Sequence, residues 1–273
     1  MADKITSARS FCSRHGISNE TIREDGTIDV DGDVDLSNSE IEVFPVQFGV
    51  VSGNFNCADM KLTSLVGSPH TVGGNYNCSY SNITSLKGAP QSVGGADNIK
   101  DVNSGFNCCH TKIISLKDAP KSVSGNFSCH HTNITSLQYA PQSVGGSFFC
   151  GGLDITSLKG APQSVGGGFS CGGSKIDSLE DAPQTVGGDF RCRNTQITSL
   201  TGIEKIIKKL NGGFYCDSDV THMLGLLLIP GVKRVETGNT RINNIFNKYV
   251  GTGDILSAQD ELIDAGFKDE ARL

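Results

Sequence analysis

The chain has 273 residues, of which 34 are glycine, and it contains no tryptophan. Hydrophobic residues make up 37% of the chain, which is enough for a packed interior and too much for a disordered polar chain. The 29 acidic residues outnumber the 23 basic ones and give a formal net charge of -6, which argues against nucleic acid as a partner, because such binding needs positive charge.

The N-terminal residues contain no apolar stretch of the kind that a secretory signal requires. The longest apolar run, from Met223 to Ile229, is far shorter than the ~20 residues of a membrane-spanning helix. We therefore expect no membrane partner and a cytoplasmic location. The ten cysteines are then predicted to be reduced thiols.

Residues 1–27 are predicted to form an N-terminal cap. A short helix from Thr6 to His15 is expected to end at Gly16. A hairpin follows from Ile22 to Val30, and Val34 begins the first coil of a repeating region. An open end of a repeat array needs such a cap.

Eight cysteines reveal an internal repeat. Their successive spacings are 21, 30, 21, 21, 21, 21 and 24 residues, and such a period is typical of solenoids. Around each of the first seven, Val stands six residues before the cysteine, an aromatic residue two before, Leu or Ile five after and Leu eight after. The cysteines are Cys57, Cys78, Cys108, Cys129, Cys150, Cys171, Cys192 and Cys216.

The aromatic residue and the cysteine are two apart, so both point to one side of an extended segment. We therefore predict one short parallel strand per coil, with Phe and Cys facing a shared core. The Gly-Gly pairs before these strands are expected to form corners with positive φ. Ala-Pro is expected to form a polyproline-like wall, and the recurring Ser between Ile and Leu to satisfy buried turn backbone.

The long spacing between Cys78 and Cys108 indicates an insertion. Placing Val102 in the repeat register puts the extra residues at about 93–101, as a protruding loop. We predict a solenoid of about nine coils over residues 28–216. Residues 217–273 are expected to contain a last irregular coil and a helical cap. Helices are predicted at Ile203 to Leu210, at Ile242 to Tyr249 and, with Ser257 as its cap, at Ser257 to Ala265.

The phrases VSGNFNC at Val51 to Cys57 and ITSLKGAPQSVGG at Ile83 to Gly95 resemble leucine-rich repeats, and in particular repeat proteins of large tailed bacteriophages. The resemblance implies a leucine-rich-repeat-like right-handed solenoid. It further implies a short parallel β-sheet on the concave face, an irregular polyproline convex wall, a small α+β N-terminal cap and an α-helical C-terminal cap. It implies a viral accessory protein and no shared biochemical activity.

Two groups of residues could bind metal ions. Asp29, Asp31, Asp33, Asp35 and Glu40 partly match a calcium loop, but Val34 stands where the loop needs glycine. The alternative is an acidic edge that discourages strand pairing. Cys109, His110, His130 and His131 follow the strands of neighbouring coils, where zinc binding, Cys-His catalysis and a polar part of a binding face all remain open.

The outward positions of the strands form the candidate binding face. Its later coils combine aromatic and arginine side chains with bare glycine, which suits a protein–protein hot spot. A face without any partner is the alternative, and an acidic partner could also use the arginines. The predicted partner-binding residues are Tyr80, His110, His130, His131, Phe149, Arg191, Arg193 and Tyr215.

The sequence contains no phosphate-binding loop, zinc-protease motif or nucleophile elbow. We therefore expect a protein that is not an enzyme and has no cofactor. It would bind a host protein in the host cytoplasm and inhibit or redirect it, as in counter-defence. The alternatives are a structural component of the virus particle or of an oligomeric assembly, and a metal-dependent enzyme at the cluster from Cys109 to His131.

Overall fold

The computed structural model describes residues 2–94 and 105–273. The chain divides into two compact units, one made of Met1–Ile134 with Gln138–Gly146 and the other of Thr135–Leu137 with Ser147–Leu273. We call them the N-terminal unit and the C-terminal unit. Each is a parallel β-solenoid, and together they contain about nine turns with a period of about 21 residues.

Each coil contributes two short strands, so the prediction of one strand per coil is wrong. The first strand ends at the recurring valine, and the second begins at the aromatic residue; we call them the Val strand and the Phe strand. Only a few residues separate the two, and Gly-Gly between them obscured the first strand in the sequence. The Val strands pair in parallel with Val strands of neighbouring coils, and the Phe strands with Phe strands.

In the N-terminal unit, the parallel Val strands are Ile28–Val30, Phe48–Val51, Thr71–Val72, Ser92–Val93, Ser122–Val123 and Ser143–Val144. The parallel Phe strands of that unit are Val34–Asp35, Phe55–Asn56, Tyr76–Asn77, Phe106–Asn107 and Phe127–Ser128. In the C-terminal unit, the Val strands are Ser164–Val165, Thr185–Val186 and Lys209–Leu210. Its Phe strands are Phe148–Phe149, Phe169–Ser170, Phe190–Arg191, Gly213–Tyr215 and Arg234–Glu236.

The N-terminal unit begins with a helix and a hairpin, as the sequence predicts. The helix, Ala2–Arg14, is longer at its start than expected. Strand Glu20–Ile22 pairs antiparallel with Ile28–Val30, which joins the parallel Val strands. The prediction that Val34 opens the first coil is confirmed, because Val34 pairs with Phe55.

Most coils use left-handed backbone at two corners, and among the described residues the predicted Gly-Gly corner does so only at Gly94, with φ 72°. One corner lies two residues after the core cysteine, as at Asp59 with φ 55°. The other corner lies two residues after the recurring leucine, the one eight residues after the core cysteine, as at Gly88 with φ 92°. There the Ala89 N–H donates to the carbonyl of Leu86, which closes a β-turn whose third residue needs positive φ.

The Gly-Gly pairs are required by close approach between coils. A Cβ at Gly145 would meet the carbonyl oxygen of Ser124, and one at Gly187 would meet that of Gly166. The predicted role of the recurring serine also changes. Ser85 is exposed, and its hydroxyl accepts a hydrogen bond from the N–H of Lys87 in the same turn, so it caps an exposed corner.

The core consists of ladders in which equivalent residues of successive coils stack. Ring centroids of Tyr76 and Phe106 lie 5.3 Å apart with planes 9° apart, and those of Phe190 and Phe214 lie 5.3 Å apart. All ten cysteines are free and buried. Burial raises the pKa of the Cys57 and Cys129 thiols to about 12, so these cysteines are structural and chemically inert, as predicted.

The C-terminal unit closes with helices, although the first is shorter than predicted. Helix Ile203–Ile206 occupies only part of the expected span, because Lys209–Leu210 joins the Val strands. After a 3₁₀ helix, Leu224–Leu228, the predicted last coil is present as Arg234–Glu236. The closing helices are Thr240–Tyr249 and Ile255–Asp264. The second is capped by Asp254, which accepts from Ser257 N, and not by Ser257 as predicted.

The insertion starts later than predicted. Val93 pairs with Val123 and Val72, so Val93 and not Val102 holds the repeat register. The added residues follow that strand. Most of the predicted insertion, from residue 95 to residue 101, and Val102 itself lie outside the described residues.

Candidate functional site

In the N-terminal unit, asparagines on the outward side of the Phe strands hold the coils together. The Asn54 side-chain oxygen accepts from the N–H and the side-chain amide of Asn75, at 2.8 and 3.1 Å. The Asn75 oxygen in turn accepts from Gly105 N at 2.6 Å. A second set, formed by Asn56, Asn77 and Asn107, accepts from the N–H two residues later. This asparagine row is therefore occupied by structural hydrogen bonds.

The place three residues after the core cysteine has a similar structural role. Hydroxyls at this place donate to the carbonyl of the preceding core cysteine, as from Thr111 to Cys108 at 2.8 Å and from Ser174 to Cys171 at 2.6 Å. Most of these serine and threonine residues are buried. They satisfy buried carbonyl groups at the corner, which otherwise would be costly.

The acidic residues considered for calcium also bind within the fold. Asp33 accepts from Asn54 N at 2.6 Å, and Asp35 accepts from the side-chain amide of Asn56 at 3.1 Å. Asp29 accepts two hydrogen bonds from Arg23 and one from Val50 N. These carboxylates take the place of the asparagine row at the first coil, which favours the acidic-edge interpretation.

Three predicted site residues of the N-terminal unit form an exposed aromatic stack. The Tyr80 and His110 rings lie 4.5 Å apart with planes 11° apart, and the His110 and His131 rings lie 4.9 Å apart at 19°. All three occupy the corner two residues after a core cysteine, with φ of 53–54°. Other coils place Asp59 or Asn194 there, which tolerate left-handed backbone better than tyrosine does.

His130 and Cys109 lie beside this stack. Candidate ligand atoms of Cys109, His110 and His130 all lie within 4.8 Å of one another. Burial lowers the pKa of His130, and the nearby His131 and His110 lower it further, so the neutral imidazole is favoured. Burial raises the pKa of the Cys109 thiol, against the opposing effect of hydrogen bonds with Asn107 and Ser79. We call Tyr80, Cys109, His110, His130 and His131 the histidine cluster.

Three arginines of the C-terminal unit, of which Arg191 and Arg193 were predicted site residues, lie around the Tyr215 ring. The guanidinium carbons of Arg191, Arg193 and Arg234 lie 5.0, 5.7 and 5.8 Å from the centre of its ring. A Cβ at Gly213 would lie 2.8 Å from the Tyr215 ring. The ring therefore lies back along its own strand, over a position that only glycine can occupy without displacing it.

The arginines around this ring are held by further contacts. Arg191 pairs with Asp189 at 2.7 Å, and Arg234 pairs with Glu236 at 2.9 Å. Arg193 instead donates to the carbonyl oxygens of Cys216 and Thr237, and Asp217 holds its place in the next coil, where it accepts from Asn194 N. Three arginines with neighbouring carboxylates thus lie around one aromatic ring.

Phe149 lies on the same surface. It is half-buried and lines a shallow depression of about 130 Å³ together with Gly168, Ser170 and Arg191. Because Arg191 borders both the depression and the Tyr215 ring, the two features are continuous. We call Phe149, Arg191, Arg193, Tyr215 and Arg234 the Tyr215 patch.

The structure thus sorts the eight predicted residues into two groups, one in each unit. The sequence analysis missed Arg234, although a signal was present. Arg234 stands 21 residues after Gly213 and pairs with it in the parallel sheet. Extending the repeat by one more coil would have placed Arg234 on the same outward face.

No protein-family model, curated protein or solved structure was found to match the chain. The leucine-rich-repeat assignment and the phage origin therefore stay predictions. Within residues 2–94 and 105–273, none of the helices has the length and apolar character needed to cross a bilayer.

Proposed function

We propose that the protein is a non-enzymatic binding protein that holds a protein partner through the Tyr215 patch. The observation that carries the proposal is the Tyr215 ring with three guanidinium groups within 6 Å of its centre. Tyrosine and arginine are the residues most enriched where binding energy concentrates in protein interfaces. Three such arginines at one ring exceed what the solenoid needs in order to stack its coils.

The contacts around the patch favour binding of a partner without a large rearrangement of the patch side chains. Arg191 and Arg193 are held by Asp189 and by main-chain carbonyls, so little side-chain entropy remains to be lost on binding. The Phe149 depression offers a place for an apolar side chain. We expect a partner that presents carboxylates next to an aromatic or aliphatic side chain.

The proposed setting is infection of a bacterium. The resemblance of the repeats to those of large tailed bacteriophages supports a viral accessory protein acting in the host cytoplasm. There it would inhibit or redirect a host protein, for example a toxin or an immune enzyme, in counter-defence.

The test is a pull-down with the tagged full-length protein from lysate of a susceptible bacterium, with bound proteins identified by mass spectrometry. A second bait carries alanine at Phe149, Arg191, Arg193 and Tyr215. We expect one host protein in stoichiometric amount with the wild type and its loss with the variant. A partner retained by the variant would overturn the proposal.

Two further baits make the test specific. Gly213→Ala keeps every contacting side chain but displaces the Tyr215 ring, so we expect it to weaken recovery as well. The matched control replaces exposed lysines of the same unit with alanine, at Lys159, Lys175 and Lys208, and should recover the partner fully. Circular dichroism must show the wild-type spectrum for each bait. Recovery of virion proteins alone, with a fixed copy number in particles, would instead support the structural alternative.

A further inference from the structure

We propose that Cys109, His110 and His130 bind one transition-metal ion of the zinc class. Their candidate ligand atoms lie within 4.8 Å of one another. Tetrahedral zinc, with one sulfur at ~2.3 Å and two nitrogens at ~2.0 Å, holds those atoms about 3.3–3.5 Å apart. The three side chains must therefore move together by up to about 1.5 Å to close the site around an ion.

The repeat explains why these three residues meet. Cys109 and His130 hold the same place, one residue after the core cysteine, in neighbouring coils. Their Phe strands pair directly, with Phe106 opposite Phe127. His110 follows Cys109 at the left-handed corner, and its N–H donates to the carbonyl of His130 at 3.3 Å. The coil spacing and the corner thus bring the three side chains together from a short segment of each of two coils.

The repeat does not require histidines at this corner. The left-handed backbone there is shared by the coils, with φ of 53° at His110 and His131. Equivalent corners of the C-terminal unit hold Gly152, Gly173 and Asn194, so stacking of the coils does not require an imidazole at this place.

The donor set selects the class of ion. One thiolate and two imidazoles favour zinc, copper or similar borderline and soft ions over calcium and magnesium, which prefer oxygen. The Asn107 side-chain oxygen accepts from Cys109 N at 3.1 Å, a contact of the type that orients metal ligands.

Three protein ligands leave one position of a tetrahedron for a water molecule. His131 lies beside these ligands, with its ring centroid 4.9 Å from that of His110 and 5.2 Å from that of His130. It is not within the group of three converging ligand atoms. We therefore assign His131 to the contacts around the ligands rather than to the metal.

The test is a Zn²⁺ titration of the purified full-length protein, freed of metal with a chelator, against a chromogenic competitor. We expect one equivalent to bind, and Cys109→Ser and His130→Gln each to weaken binding at least tenfold. His131→Gln should change affinity by less than tenfold. The matched control His70→Gln removes an exposed histidine elsewhere in the same unit and should change nothing.

Co²⁺ provides a second readout that does not depend on affinity. A thiolate–Co²⁺ charge-transfer band should appear in the near ultraviolet and be absent in Cys109→Ser. Binding of less than a tenth of an equivalent, or equal binding by the wild type and both ligand variants, would overturn the proposal. Circular dichroism confirms that each variant is folded. The outcome is independent of the pull-down, since the Tyr215 patch lies in the other unit and remains intact in these variants.

Discussion

The two units use one repeat for different purposes on the outward side of their Phe strands. In the N-terminal unit, the side-chain oxygens of Asn54 and Asn75 accept hydrogen bonds from backbone N–H groups of the next coil. In the C-terminal unit, Ser147 and Asp189 continue this row, because they accept from Gly168 N and Gly213 N at 2.9 Å. The difference lies at the next outward place, where Arg191 and Tyr215 stand instead of the asparagines Asn56, Asn77 and Asn107. The comparison shows that one outward place can be structural in one region, while substitutions at that place expose arginine and tyrosine side chains in another.

The largest expected effect tests whether both units share one kind of core. Phe106 and Phe169 are each stacked between aromatic neighbours and are at most 1% exposed. Phe106→Ala and Phe169→Ala should each cost about 3–5 kcal/mol, because a large cavity remains. Urea unfolding followed by circular dichroism measures the loss. A much smaller loss in one unit would mean that its ladder is not the main source of its stability.

A smaller effect tests the asparagine row. Asn54→Ala leaves the Asn75 N–H without its acceptor, so we expect a loss of about 1–2 kcal/mol in the same unfolding measurement. Asn54→Ser keeps a hydroxyl acceptor, as Ser147 does at the equivalent place, and should lose less. If Asn54→Ala were neutral, the row would be free surface rather than part of the fold.

A substitution at the other outward place, in the C-terminal unit, should hardly affect stability. Arg191 is exposed and pairs with a partly exposed Asp189, so Arg191→Ala should change the free energy of unfolding by less than about 0.5 kcal/mol. Recovery of the partner in the pull-down should nevertheless fall. A stability loss as large as that of Asn54→Ala would make Arg191 a structural residue.

One substitution is expected to increase stability. Tyr80 is 55% exposed and has left-handed backbone with φ 54°. Tyr80→Asn should raise the free energy of unfolding by about 0.5–1 kcal/mol, because asparagine tolerates this backbone. Thermal unfolding of the two proteins side by side measures the difference. A loss of stability would show that the stack of Tyr80 on His110 contributes to the fold.

Much of the fold could be predicted from the sequence because the repeat is strict. The period, the inward ladder of Phe and Cys, the N-terminal cap and the last coil follow from residue spacing. The Val strands could not be found in this way. Each is only two residues long between Ala-Pro and Gly-Gly in most coils, and the pairing with neighbouring coils, rather than local sequence, makes it a strand.

Most residues of the candidate site could be predicted from the sequence, with Arg234 as the exception, but their contacts could not. The outward positions of Phe149, Arg191 and Tyr215 follow from alternation along a strand. The direction of the Tyr215 ring depends on Gly213, and the bonds that occupy the asparagines depend on the neighbouring coil. The sequence of one coil does not contain such information, since these contacts form only when coils stack.

The most direct test of the central claim is photo-crosslinking from defined positions. A photoreactive phenylalanine analogue is placed at Tyr215 in one protein and at Tyr139, an exposed tyrosine of the N-terminal unit, in another. Each is irradiated in lysate of a susceptible bacterium, and the products are identified by mass spectrometry. The account predicts one major adduct with a host protein from position 215 and none from position 139. The same adduct from both positions, or none from position 215, would contradict it.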